Sequence, residues 1–298
     1  MEETSSTSII ETINEIFSNI FSSVDNSIYE ILDEITFIDS SITENSSFEK
    51  LFGSSSSEGI LLVCNALILG IIIFYATNYL FSHLTYSKIQ RPSQFIFKCV
   101  IFIGIMNESL WICSQIINIV SLISSSIQSI GESILDEEIT FMNFIEKIND
   151  TVYSSDSELS ITSFEGIIKS ITTMGFMSLI FSYALRYIML QVFVLISPFC
   201  FLCLINDRTE WIFKSWIKAF ISLLVEQILI AVILLLAFSI ELTSNDTMSQ
   251  LIYIGIIYAL MKTNSYMYML FGGITTSIST GNMMLKNTRN IINLYSYF

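Results

Sequence analysis

Five long apolar runs constrain this chain more than any other feature of its sequence. The clearest is residues 60–81, which contains no charged residue, and a membrane-spanning helix needs about 20 mostly apolar residues. Further runs lie near 95–123, 167–205, 219–240 and 251–271. Because continuous runs of this length exceed an ordinary strand, the sequence predicts an all-α polytopic membrane helix bundle with about five transmembrane helices.

The composition disfavours two other classes of protein. The chain is 52% hydrophobic and only 13% charged, whereas soluble domains carry roughly 25% charged residues. A water-soluble enzyme of this length is therefore disfavoured. The formal net charge of −14 has the wrong sign for a basic surface that meets phosphate. We therefore expect no direct sequence-specific binding of nucleic acid.

The charges are segregated along the chain in a way that predicts its orientation. Most acidic residues lie in 1–59 and 124–166, whereas the links 82–94 and 206–218 and the tail 272–298 carry Lys and Arg. Short basic loops mark the cytoplasmic side of a membrane. The pattern predicts a multi-pass protein of the cytoplasmic membrane with five crossings, its N-terminus outside and its C-terminus inside.

This topology divides the chain into five parts. They are an N-terminal extracytoplasmic amphipathic helical segment (1–59), the first two transmembrane helices (60–123), an acidic extracytoplasmic helical segment (124–166), transmembrane helices three to five (167–271) and a cytoplasmic tail (272–298). Ile and Phe residues at helical spacing predict amphipathic helices within both acidic segments. We expect these helices to pack on each other over the outer ends of the spans; the alternative is a surface for partner subunits.

The run 167–205 is the place where the topology is hardest to assign. As one helix it would be about 58 Å long, and a hydrocarbon core is about 30 Å thick. A second crossing within this run would place the basic link 206–218 outside. The charges therefore favour one crossing, about 167–189, with Arg186 at its inner end. Residues 191–205 are then predicted to form a re-entrant or interfacial segment bent at Pro198. A long kinked helix that protrudes from the membrane is the competing geometry.

No catalytic, cofactor-binding or metal site is predicted. The single histidine, His83, allows at most one Ser–His or Cys–His unit and no H-E-x-x-H motif. Glycine-rich phosphate-binding motifs do not occur in the sequence. The five cysteines lie in apolar runs, and the C-x-x-C formed by Cys200 and Cys203 is interpreted as core packing.

Charged residues inside the apolar runs are the best functional candidates, because each costs at least about 2.5 kcal/mol at a helix centre unless it is satisfied. They are Glu108, Arg186, Glu226 and Lys262. The simpler interpretation is that they pair within the bundle or lie near the ends of spans. The alternative is that they line a polar conduit. Trp211 and Trp216 are predicted to anchor a span end at the membrane interface.

The stretch 186–238 carries a pattern of its own. It reads Arg-Tyr-Ile-Met-Leu, then Leu-Ile-Ser-Pro-Phe around Pro198, a polar link with Thr209, Ile-Phe-Lys-Ser-Trp ending at Trp216, and a span containing Glu226 and Gln227. This resembles the central region of the TrbL-type polytopic inner-membrane subunits of type IV secretion and conjugation systems. In that family a helix ends in a Ser/Ala-Pro step, followed by a turn, a lone Trp and another span.

The resemblance carries over Pro198 and Trp216 as structural positions. It implies a non-enzymatic channel or scaffold subunit that helps move DNA or protein across the cytoplasmic membrane. The implied partners are other secretion-system membrane subunits, separate ATPases, further copies of the chain and the lipid bilayer, with transient contact to the cargo.

Two other classes of function stay open. One is a secondary transporter or ion channel, and the other is a membrane assembly factor whose acidic ectodomain binds a partner. A transporter predicts inverted repeats with paired broken helices. The sequence has one apolar run that is interrupted by proline, and no second interrupted run that would match it in an inverted repeat.

Overall fold

The computed structural model describes residues 26–53, 59–85, 91–148, 164–240 and 247–272. Within these ranges the chain is helical apart from short turns and contains no strand. The predicted all-α bundle is thereby confirmed. The first 25 residues of the predicted N-terminal segment, and the tail beyond Gly272, lie outside the described residues.

Eleven α-helices form the described part of the chain. They are α1 (Asn26–Thr36), α2 (Ser41–Glu44), α3 (Ser46–Phe52), α4 (Ile60–Thr85), α5 (Pro92–Asn107), α6 (Ser109–Leu135), α7 (Phe141–Ile148), α8 (Phe164–Leu195), α9 (Ser197–Leu202), α10 (Glu210–Ser239) and α11 (Thr247–Phe271). A single 3₁₀ turn, Cys203–Ile205, follows α9.

Four of these helices are long and apolar enough to cross a membrane. The qualifying stretches are Ile60–Ser82, Ser109–Leu135, Ser170–Leu195 and Glu210–Ser239, which belong to α4, α6, α8 and α10. A hydrocarbon core of about 30 Å is spanned by roughly 20 helical residues, and each stretch exceeds that length. The bundle is therefore long and apolar enough to be embedded in a membrane.

The fifth predicted span, 251–271, does form a helix but is not among these four. Helix α11 has 25 residues, so length does not exclude it. The polar run Lys262–Thr263–Asn264–Ser265 makes it less apolar than the others. Four of the five predicted spans thus contain a helix that is long and apolar enough to cross a membrane, and the fifth forms a more polar helix.

The second predicted span is divided in two. Helix α5 ends at Asn107 and α6 begins at Ser109, with Glu108 between them. Helix α5 has 16 residues, about 24 Å, whereas α6 has 27, about 40 Å. Because α6 continues to Leu135, the predicted boundary at residue 123 falls inside this helix.

The long third run forms one continuous helix and then a buried break. Helix α8 extends for 32 residues to Leu195, further than the predicted end at 189. Pro198 lies in the first turn of α9, a position that tolerates proline while the preceding helix must stop. Helix α9 packs against α4, α5 and α6. A break at this depth is tolerated when it is buried in protein.

Two apolar clusters make up the core. The first joins α5, α6 and α9 to the end of α8 and the first half of α10. The second joins α7 and α11 to the first half of α8 and the second half of α10. Helices α8 and α10 therefore pass from one cluster to the other.

The N-terminal helices enter this core instead of covering its end. Helix α1 packs on α7, as expected for the two acidic segments, and also on α8. Leu32 belongs to the second apolar cluster, whereas Ile38, Ile42 and Phe48 belong to the first. The apolar face of this segment is thus buried against the spanning helices themselves.

Candidate functional site

Two of the predicted intramembrane charges, Arg186 and Glu226, lie where the two apolar clusters meet. On α8 the second cluster ends at Tyr183 and the first resumes at Leu190. On α10 the first cluster ends at Leu224 and the second resumes at Ile230. Both charged side chains are completely buried. The interior of the bundle is therefore polar at this level.

The carboxylate of Glu226 is held by two neighbouring residues of α11. The hydroxyl of Thr263 donates to Oε1 at 3.0 Å, and the amide of Asn264 donates to Oε2 at 3.0 Å. All three side chains are buried. A buried carboxylate is stabilised by such donors because they replace the water that it has lost. The polar run that lowers the hydropathy of α11 thus holds the charge of α10.

The guanidinium of Arg186 binds the main chain of the N-terminal segment. Its Nη2 donates to the carbonyl oxygen of Thr36, the last residue of α1, at 2.5 Å. The last carbonyls of a helix have no partner within the helix, and a cation there is favoured by the helix dipole. The guanidinium also lies 5.8 Å from the centre of the Tyr183 ring. Arg186 therefore caps the end of α1.

Arg186 and Glu226 compensate each other without direct contact. Glu226 contributes to the electrostatic environment of Arg186, but the ion pairs within 4.0 Å among the described residues are elsewhere: Lys98–Asp207, Lys147–Glu137 and Lys214–Glu210. Opposite charges attract each other more strongly in a medium of low dielectric than in water. The pair keeps the interior neutral overall.

Gln227 holds the turn that follows α1. Its Nε2 donates to the carbonyl oxygen of Ile38 at 3.3 Å, and the side chain is completely buried. Together these residues form what we call the polar cluster: Thr36, Tyr183, Arg186, Glu226, Gln227, Thr263 and Asn264. Within the described part of the chain, no group of three or more His, Cys, Asp or Glu residues is placed to hold a metal ion.

The other two predicted charges lie outside the polar cluster. Glu108 is exposed at the junction of α5 and α6, where its backbone N–H donates to the carbonyl oxygen of Gly104 at 3.2 Å. Lys262 is half-buried, and its ammonium lies 5.5 Å from the centre of the Tyr258 ring. Of the four predicted residues, only Arg186 and Glu226 therefore belong to the polar cluster.

Trp216 binds the end of α8, next to the break at Pro198. The indole N–H of Trp216 donates to the carbonyl oxygen of Phe193 at 3.1 Å, in the last turn of α8. Trp216 is only 5% exposed and stacks on Phe220, with ring centres 5.3 Å apart. The interpretation of Trp216 as an interface anchor is therefore wrong. Trp211, which is 64% exposed, is free to act as one.

Four members of the polar cluster were not predicted from the sequence: Thr36, Tyr183, Thr263 and Asn264. A Thr-Asn pair about two turns from the end of an apolar run is a usable signal, because neither side chain is stable against lipid without a partner. No comparable signal marks Thr36, since its carbonyl and not its side chain is bound.

These features define a polytopic, membrane-embedded helical protein whose interior contains a compensated pair of charges. No protein-family model, curated protein or solved structure matches the chain.

Proposed function

We propose that this chain is a non-enzymatic channel or scaffold subunit of a conjugative type IV secretion apparatus. In this role it helps translocate DNA or protein across the cytoplasmic membrane. The observation that carries the proposal is the break at Pro198, whose free carbonyl end is capped by Trp216. These are the two positions that the resemblance to TrbL-type subunits singles out.

The surroundings of the break support a structural role for it. Phe201 and Phe213 pack with Trp216, with ring centres 5.2 to 5.6 Å apart. Lys98 of α5 pairs with Asp207, between α9 and α10, at 2.5 Å. The break is thus tied to three separate helices. A rigid, buried corner of this kind is suited to transmitting contacts from partner subunits into the bundle.

The charge segregation supports an orientation with the N-terminus outside and the C-terminus inside. Partner membrane subunits, further copies of the chain and separate ATPases complete the apparatus in this proposal. Cysteine labelling tests the orientation. A cysteine at Ser54 should react with an impermeant reagent added from outside, and one at Lys214 should not. Reaction at Lys214 from outside would contradict the five-crossing orientation.

A transfer assay tests the function directly. Deletion of the gene should abolish conjugative transfer, and the wild-type chain supplied in trans should restore it. A Trp216→Phe variant should restore it less well than Trp211→Phe, because only Trp216 caps the break. Co-purification with a conjugation ATPase would support the assignment. Normal transfer after deletion excludes it.

An ion channel or transporter is the second candidate, favoured by the polar cluster. A compensated pair of buried charges between two apolar clusters is a common feature of ion pathways. Purified protein in liposomes should then conduct ions, and Glu226→Gln should change the conductance. If deletion abolishes transfer but the purified protein conducts no ions, the channel or transporter is excluded and the secretion subunit remains.

A further inference from the structure

The segment 31–53 is threaded between the two apolar clusters. It begins in the second cluster at Leu32, passes the polar cluster at Thr36 and enters the first cluster at Ile38. Its far end, α3, packs on α4. This segment therefore contacts both apolar clusters and the polar cluster that lies between them.

At the polar cluster, the spanning helices form hydrogen bonds with main-chain carbonyls of this segment. Arg186 binds the carbonyl oxygen of Thr36, and Gln227 binds the carbonyl oxygen of Ile38. Both donors come from membrane-spanning helices and both acceptors from one turn. Two side chains thus hold the turn by its backbone.

Several buried polar atoms at this contact have no partner in the described part of the chain. They are Nε and Nη1 of Arg186, Oγ1 of Thr36 and Oε1 of Gln227. A buried polar atom without a hydrogen bond raises the free energy of the state that buries it, and a charged group does so more strongly. Water reaching the contact would satisfy all four atoms.

The segment also lines a cleft of about 420 Å³ that opens to the outside of the bundle. Residues between 33 and 42 form one part of its wall, and Gln128, Thr140 and Tyr187 form another. One side of the segment is therefore not covered by the bundle, and its contact with the polar cluster is not fully hydrogen-bonded.

We propose that residues 31–53 form a plug that withdraws from the bundle, with Arg186 and Gln227 as its latch. Withdrawal brings water to Arg186 and Glu226 and opens a polar path between the two apolar clusters. The plug does not rest on the secretion assignment, because it concerns the packing of this chain alone.

Hydrogen exchange of the full chain in lipid nanodiscs tests the latch. Arg186→Met/Glu226→Gln removes the bond to Thr36 without leaving an unpaired charge. We expect amides of residues 31–42 to exchange about tenfold faster, the factor that corresponds to about 1.4 kcal/mol. The matched control is Lys262→Met/Glu108→Gln, which likewise removes one cation and one anion, but outside the polar cluster, and should leave that exchange unchanged. Acceleration spread equally over α8, α10 and α11 would overturn the proposal, because it reports general loosening.

For a second variant the proposal predicts slower hydrogen exchange of the same residues. Thr36→Val removes the unpaired hydroxyl but keeps the carbonyl that Arg186 binds. Exchange of residues 31–42 should slow several-fold, a result that unfolding does not produce. Equal or faster exchange than in the wild type contradicts a latch strained by unpaired polar atoms.

Ion release from liposomes tests the path. Potassium and chloride efflux should be several-fold faster through Arg186→Met/Glu226→Gln than through the control variant, and slowest through Thr36→Val. Faster exchange of the plug with unchanged efflux of both ions would overturn the path.

Discussion

The indole N–H of Trp216 donates to the carbonyl oxygen of Phe193 across the break between α8 and α9, at 3.1 Å. Phe193 lies in the last turn of α8, where carbonyls lack partners within the helix. Pro198, shortly beyond, has no N–H to offer. The two residues that mark this stretch in the sequence therefore act on one backbone corner.

Trp216→Phe should destabilise the protein, because it removes that donor and leaves the carbonyl of Phe193 buried without a partner. The expected loss in free energy of unfolding is about 1–3 kcal/mol. The midpoint of thermal unfolding in detergent measures it. Trp211→Phe, on the exposed face of the same helix, should have little effect. Equal effects of the two variants would show that the hydrogen bond contributes nothing.

Glu226→Gln should destabilise the bundle more strongly, because it leaves Arg186 buried without an opposite charge. Loss of one partner of a buried pair costs about 3–5 kcal/mol. Addition of Arg186→Met should restore part of that loss, so that the double variant is more stable than the sum of the single variants predicts. Strict additivity in this cycle would mean that the two charges do not interact. Glu108→Gln, at an exposed position, is the control.

Gly131→Ala should distort the packing of α6. An added Cβ would overlap Cγ1 of Ile139 and lie 2.9 Å from Cδ1 of Leu235, and overpacking of this kind costs about 1–3 kcal/mol. Gly104→Ala, in a helix with open space around it, should be neutral or slightly stabilising. Thermal unfolding of both variants compares them. A Gly131 variant as stable as the Gly104 variant would refute the close approach.

Asp33 should make stability depend on pH. Its carboxylate accepts hydrogen bonds from the backbone N–H groups of Phe141 at 2.8 Å and Met142 at 3.4 Å. Burial nevertheless outweighs these bonds and raises the pKa of Asp33 from 3.8 to about 6. The folded state thus binds the proton more tightly than the unfolded chain does. This contribution to stability is fully present below about pH 3.8 and is lost as the pH rises through 6.

The corresponding measurement is a series of thermal unfolding midpoints from pH 4.5 to 7.5. The midpoint of the wild type should fall across pH 6 relative to that of Asp33→Asn, which does not titrate. Parallel curves for the two proteins would show that Asp33 does not carry the effect.

Sequence periodicity and length predicted the helices well, because an apolar run in a membrane protein has few alternatives. The run at 60–81 lies within α4, and the run at 219–240 lies within α10 except for its last residue. The break near Pro198 was also predictable, since proline ends a helix by local chemistry alone. The division at Glu108 was not, because no proline or glycine marks it.

The arrangement of the N-terminal segment could not be predicted from its pattern. An amphipathic stripe shows that a helix buries one face but not what covers that face. Leu32 and Ile38 belong to different apolar clusters, a property of the three-dimensional packing. The pairing of Glu226 with Thr263 and Asn264 likewise depends on which helices are neighbours.

The level of the polar cluster has a consequence for assembly. Helices with apolar surfaces can slide along one another in lipid at little cost, since one Leu contact resembles another. A slip of one turn, about 5.4 Å, would take Glu226 away from Thr263 and Asn264 and set a charge against hydrocarbon. The buried charge of α10 therefore fixes the axial register of α10 and α11, as a single buried polar residue does in a coiled coil.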